Sequence, residues 1–392
     1  MIDHELMISD TLKDVKPSGI RKFFDLLADM GDVTALTVGQ PDFVTPWHIR
    51  EAAIQSLERG HTYYTSNAGF SELRLEIAKY MKRRFNLDYS ADETLVTVGG
   101  SEAVDMVIRS LINPGDEVIL PMPAFVCYEP IARMAGAKVV IVNTKAENGF
   151  KLTPDELRAA ITPKTKLLIL SYPNNPTGAV LDREELSALA DVLRDTDVAI
   201  LSDEIYAELT YGKTHVSIAS IDGMRERTVI VSGFSKAFAM TGWRLGYLCG
   251  PRAWVKQMTK LHQYAIMCAP TTSQYAAIEA LKSCDDAVAE MLAEYDARRK
   301  IIVKGFNDLG LECREPKGAF YAFPSIKSTG LSSEEFCQRL LYSKKVALVP
   351  GDAFGASGEG HVRASYCYSL SHIKEALARI GEFLEELKAE AK

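Results

Sequence analysis

The chain has 392 residues, 47% of them apolar and 25% charged, with a net charge of -7. That length exceeds what one hydrophobic core usually serves, so two domains are expected, and the acidic balance offers no basic field for nucleic acid or anionic lipid. No apolar run reaches the length of a bilayer span and no export signal opens the chain, while seven scattered cysteines and seven dispersed histidines read as a cytoplasmic protein with reduced thiols and no metal site.

In chain order, Thr37 to Phe43 reads Thr-Val-Gly-Gln-Pro-Asp-Phe, and Tyr64 lies in the loop between Gly60 and Gly69. From Thr94, short β-rich runs alternate with helical stretches. Strands are expected at Thr94 to Val98, Glu117 to Leu120, Lys138 to Asn143, Lys166 to Tyr172, Val198 to Ser202, Thr228 to Ser232 and Arg244 to Cys249. Apolar residues at helical spacing mark Glu102 to Leu111 and Arg183 to Leu193. The fold class is therefore α/β, a large domain with a mostly parallel central sheet covered by helices. After about residue 283 a long amphipathic helix carries Val288, Met291, Leu292, Tyr295 and Ile302 on one face. Short strands near Cys313 and over Ala319 to Phe323 follow it, and a helix striped with Ile373, Leu377, Ile380, Leu384 and Leu387 closes a smaller α+β domain.

Several stretches carry chemistry. Gly99-Gly100-Ser101-Glu102 passes from a strand into a helix, so free backbone N–H groups and the helix dipole face that turn, as an anion site requires. Pro121-Met-Pro-Ala-Phe125 puts an aromatic ring after a stiff loop, and Asn174-Asn175-Pro-Thr-Gly178 is a turn. Asp203, in Ser-Asp-Glu-Ile-Tyr206, is an acid at a buried strand end, where it must find a partner or cap a helix. Ser232-Gly-Phe-Ser235-Lys236 and Gly-Trp-Arg244-Leu-Gly set a lysine and an arginine eight residues apart among small, weakly polar neighbours. Such a lysine loses its proton readily enough to act as a nucleophile, and the arginine fork suits phosphate oxygens. Arg363, within His361-Val-Arg-Ala-Ser365, is a single cation in an apolar strand.

Together these stretches, in this order, resemble the class I and II aminotransferases from Gly39 to Arg363. The resemblance implies that Lys236 carries pyridoxal 5'-phosphate on its amine and moves the substrate proton as general base and acid, and that Arg244, Gly100, Ser101, Glu102 and Ser235 or Ser232 surround the phosphate. Some relatives place a serine where this chain has Gly233, so which of the two serines makes that contact is open. Phe125 would stack on the pyridine ring, Asp203 would pair with its nitrogen, and Asn175 and Tyr206 would donate to its phenolic oxygen. Gly39, Asn175 and Arg363 would hold the substrate carboxylate, and Tyr64 would reach the phosphate of a neighbouring subunit in a homodimer with shared active sites. The implied domains are 1–45 as an arm and part of the small domain, 46–283 as the large domain and 284–392 as the remainder of the small one. The expected activity is transfer of an amino group from an L-amino acid, aspartate or an aromatic one first, to 2-oxoglutarate or another 2-oxo acid. The alternatives are N-acetyl-diaminopimelate as substrate, or a β-lyase on the same fold. Ile20, Arg21, Tyr63, Phe320 and Tyr321 are the candidates for reading the substrate side chain.

Overall fold

The run Leu167 to Leu170 is fully buried, as a strand must be when helices cover both faces of its sheet. A computed structural model describes residues 2–13, 15 and 31–390. In chain order its strands are β1 (Thr34–Ala35), β2 (Thr94–Thr97), β3 (Glu117–Met122), β4 (Lys138–Asn143), β5 (Thr165–Ser171) and β6 (Ala199–Asp203), then β7 (Thr228–Gly233), β8 (Gly246–Cys249), β9 (Tyr321–Ala322), β10 (Val346–Ala347), β11 (Val349–Pro350) and β12 (Val362–Ser365).

Seven of them form one sheet in the order β2-β8-β7-β6-β5-β3-β4. The pairs from β7 to β4 are parallel, whereas β8 runs antiparallel to both of its neighbours. The carboxyl ends of β2, β6 and β7 and the amino end of β8 consequently open on one edge, where open α/β sheets bind ligands. Helix Gly100–Leu111 leaves β2 there and buries Ala103, Val104, Met106, Val107 and Ile108. Helix Arg183–Leu193 is started by Asp182, whose carboxylate accepts from the Glu185 amide while the Glu185 side chain returns to the Asp182 N–H.

A second, antiparallel sheet has the order β11-β12-β9, and β1 pairs in parallel with β10. Helices Asp285–Asp308, Ser333–Lys344 and Leu370–Glu390 pack against these strands, closing a core that includes Tyr295, Phe306, Phe320, Phe336 and Phe383.

Three local expectations are corrected. Arg244 lies outside β8, because its backbone takes the left-handed conformation, φ 51°, and the ladder begins at Gly246. Cys313 is not in a strand; its N–H is taken by the Asn307 side chain at 3.0 Å. Ala319, with φ 56°, turns the chain so that only Tyr321–Ala322 remains extended enough to pair.

Candidate active site

A cleft of about 570 Å³ opens at the strand edge and runs across to β12. Gly39, Gly100, Ser101, Phe125, Asn175, Asp203, Tyr206, Ser235, Lys236, Arg244 and Arg363 all line it, so the fold brings together residues that the sequence spreads over more than three hundred positions.

The floor comes from the sheet. Asp203 ends β6, 8% exposed, and its carboxylate accepts from the Tyr128 hydroxyl at 2.7 Å and the Ile205 amide at 3.1 Å. It has no ion-pair partner among the described residues. Burial pushes its carboxyl up to about 6, and the Tyr128 bond opposes that shift. The following segment is a turn rather than a helix, with the Ala207 N–H donating to the Glu204 carbonyl at 2.9 Å, yet it still delivers the Tyr206 hydroxyl to the cleft.

Lys236 comes from the connection between β7 and β8. Its Nζ donates to the Gly39 carbonyl at 2.6 Å and lies 6.0 Å from the Tyr206 ring centre. Loss of solvation, reinforced by Arg363 and Arg244, brings its pKa down to about 8. Such an amine is partly neutral near physiological pH, which nucleophilic attack requires.

The same connection supplies Arg244, which is exposed and donates to the Thr241 carbonyl at 3.0 Å. Gly99, at φ 80°, is the turn against which this arginine lies; a Cβ added there would stand 2.7 Å from Arg244 Nη2. A side chain at Gly99 would therefore displace the guanidinium, while glycine leaves arginine and helix N-terminus on one side of the cleft. Of the two serines, Ser235 lines the cleft; the Ser232 hydroxyl is turned away, 3.4 Å from the Glu204 carbonyl. Glu102 does not reach the cleft. Its carboxylate accepts from the Val98 amide and sits 2.8 Å from His262 Nδ1, so it braces the turn from behind.

Across the cleft, Arg363 is 3% exposed. It donates to Asn175 Oδ1 at 2.9 Å and to the Thr37 carbonyl at 2.6 Å, between the rings of Tyr321 (4.5 Å) and Phe354 (4.8 Å), and its Nε has no hydrogen-bond partner among the described residues. A buried guanidinium with an unused N–H is suited to receive a carboxylate.

Tyr64 stands outside the cleft, 79% exposed. Of the side-chain-reading candidates, Tyr321 lines the cleft, Phe320 is buried behind it, Tyr63 is on the surface, and Ile20 and Arg21 lie outside the described residues. Sequence reasoning missed Tyr128 as the partner of Asp203. The only available signal was a tyrosine three residues after Phe125, the spacing that puts both on one side of a turn. Among the described residues no group of three or more His, Cys, Asp or Glu could hold a metal ion, and no helix is long and apolar enough to cross a membrane.

The residues fit pyridoxal phosphate on this geometry: an anion site at Gly99 and Arg244, a buried acid at Asp203 with no ion-pair partner among the described residues, and an amine of lowered basicity between them. Residues 31–380 match the family described as aminotransferase class I and II. The chain is 53% identical over 380 residues to a putative aminotransferase, YugH, of Bacillus subtilis, covering 97% of this chain and 98% of that one. It is 46% identical over 387 residues to an aspartate aminotransferase of Pyrococcus abyssi, at 98% and 100% coverage. A solved aromatic aminotransferase from Pyrococcus horikoshii superposes with a TM-score of 0.89 at 44% identity, covering 93% of this chain and 99% of that one.

Proposed function

The chain belongs to the class I and II aminotransferases and is an aminotransferase with pyridoxal 5'-phosphate as its cofactor; from that premise we propose how its own residues divide the work. The observation that carries the assignment is the lysine of lowered pKa inside a cleft that also holds a buried arginine and a buried carboxylate with no ion-pair partner among the described residues. When bound, the cofactor supplies an electron sink for the charge left on the substrate Cα. Arg244, Gly100, Ser101 and Ser235 would hold its phosphate. Phe125 would pack against its ring, Asp203 would pair with its ring nitrogen, and Asn175 and Tyr206 would donate to its phenolic oxygen.

Arg363 binds the substrate α-carboxylate, with Asn175 and the Gly39 loop beside it, and so aims the Cα hydrogen at Lys236. Lys236 Nζ then takes that proton from Cα as general base and, as general acid, would deliver it to C4' of the cofactor. Lys236→Ala should keep its circular dichroism, lose the visible absorbance of bound cofactor, and lose turnover by at least about 10⁴-fold. Wild-type turnover in that variant would end this assignment.

The substrate pair is an L-amino acid donor, aspartate first and aromatic amino acids next, with 2-oxoglutarate as acceptor, a reading supported by the names of the relatives. N-acetyl-diaminopimelate is the further alternative. A panel of donors against 2-oxoglutarate ranks them by kcat/KM. Incubating holoenzyme with amino acid alone separates transfer from β-elimination: stoichiometric pyridoxamine phosphate marks the former, pyruvate and ammonia the latter.

A homodimer is part of this proposal. Tyr64 is exposed and away from its own cleft, and Tyr63, Tyr264 and Met267 are exposed as well, which supports a face covered by a second copy. Sedimentation tests it. The division into 1–45 with 284–392 and 46–283 is supported by the separate sheets, and a cytoplasmic location by seven free cysteines.

A further inference from the structure

Tyr321 stands where three parts of the cleft meet. It lies on β9, opposite Ser365 of β12, two residues past Arg363. Its ring carries the Arg363 guanidinium at 4.5 Å, and its hydroxyl lies 2.8 Å from that of Tyr206. The same hydroxyl fills the space above Gly39, where an added Cβ would come within 2.0 Å of it. Gly39 is therefore a glycine because of close approach. Its carbonyl, in turn, is the acceptor for Lys236 Nζ.

We infer that Tyr321 is a positioning residue that orients the Tyr206 proton and seats the Gly39 peptide under Lys236, an inference resting on the reading of Tyr206 as donor to the cofactor's phenolic oxygen. A phenol has one proton. If Tyr206 directs its own at that oxygen, its oxygen is free to accept from Tyr321, and bonds linked in this way strengthen one another. Burial keeps both phenols protonated, pushing Tyr206 well up and Tyr321 to about 12. Among the described residues, the charged and titratable groups facing the pair are Arg363, Lys236, Cys367 and Tyr368. All four are retained in the variants below.

The test is a pH titration of the holoenzyme's visible spectrum, with kcat, KM and cofactor Kd measured alongside. Tyr206→Phe removes a donor to the phenolic oxygen and should raise the spectral midpoint by about one pH unit. Tyr321→Phe should raise it by about half a unit, lower kcat by about tenfold and leave cofactor Kd within about twofold. Gly39→Ala should lose activity, and adding Tyr321→Phe should restore part of it, because the atom crowding the new methyl most closely has gone. A midpoint that moves in Tyr206→Phe and stays fixed in Tyr321→Phe overturns the inference, as do additive losses in the double variant. If neither phenylalanine variant moves the midpoint, the reading of Tyr206 fails and this inference falls with it.

Discussion

The two arginines of the cleft have parallel proposed tasks in opposite surroundings. Arg244 is exposed, held by one carbonyl and the bare face of Gly99. Arg363 is buried, clamped by Asn175 and Thr37 and enclosed by two rings. A hydrated cation attracts an anion through a salt-screened field and tolerates substitution by another cation. A desolvated, fixed fork is costly until its anion arrives, and rewards only an anion of matching shape. On those proposed tasks, the phosphate side would be built for retention and the carboxylate side for discrimination.

The sharpest test is Asp203, which belongs to the cofactor side yet is buried. Asp203→Asn should lower kcat by roughly 10³-fold. The folded-state pKa of Asp203, about 6, lies above its ordinary value of 3.8, so stability is lost as the pH rises from about 4 to about 6 and the full cost of the charge is present above that. Removing that charge should therefore stabilise the cofactor-free protein at neutral pH, by up to about 3 kcal/mol in denaturant melts. A destabilised variant would break the division between buried and hydrated charge. Arg363→Lys comes next: a roughly 10²-fold fall in kcat/KM for the amino acid, with cofactor affinity within about twofold, because an ammonium cannot reproduce the fork. Arg244→Lys should raise cofactor Kd by only about tenfold, steepen little with salt beyond wild type, and leave stability within about 0.5 kcal/mol. Equal penalties at the two arginines would erase the contrast. The last prediction needs no substitution. Capture of free cofactor by the apo-protein should speed about tenfold per pH unit below about 8 and level off above it, following the neutral fraction of Lys236.

Much of this was legible in the sequence, for identifiable reasons. Strands covered on both faces leave uninterrupted apolar runs, so β5, β6 and β7 were found within a residue or so of their ends. Lys236, Asp203, Asn175 and Arg363 sit in motifs whose chemistry is stated by neighbouring residues. What stayed hidden depends on pairs distant along the chain. Tyr128 reaches Asp203 across 75 positions, and Glu102 reaches His262 across 160. No local pattern says that Glu102 will turn its back on the cleft. The choice between Ser232 and Ser235 was equally invisible, because it depends on which way a strand's last residues face.

The antiparallel placement of β8 beside β7 means that Lys236 and Arg244 ride on one hairpin connection. Closing that hairpin brings both near the sheet edge for the entropy of a short loop. Arg363, by contrast, meets Thr37 across 326 residues, and loop-closure cost grows with the logarithm of that separation, by about 0.6 kcal/mol per doubling. The amine and the guanidinium are therefore local to each other in the chain, although Gly99 and Asp203 join them from afar, and a lengthened β7–β8 connection would displace both together. The discriminating half exists only once the two far ends of the polypeptide have been tied.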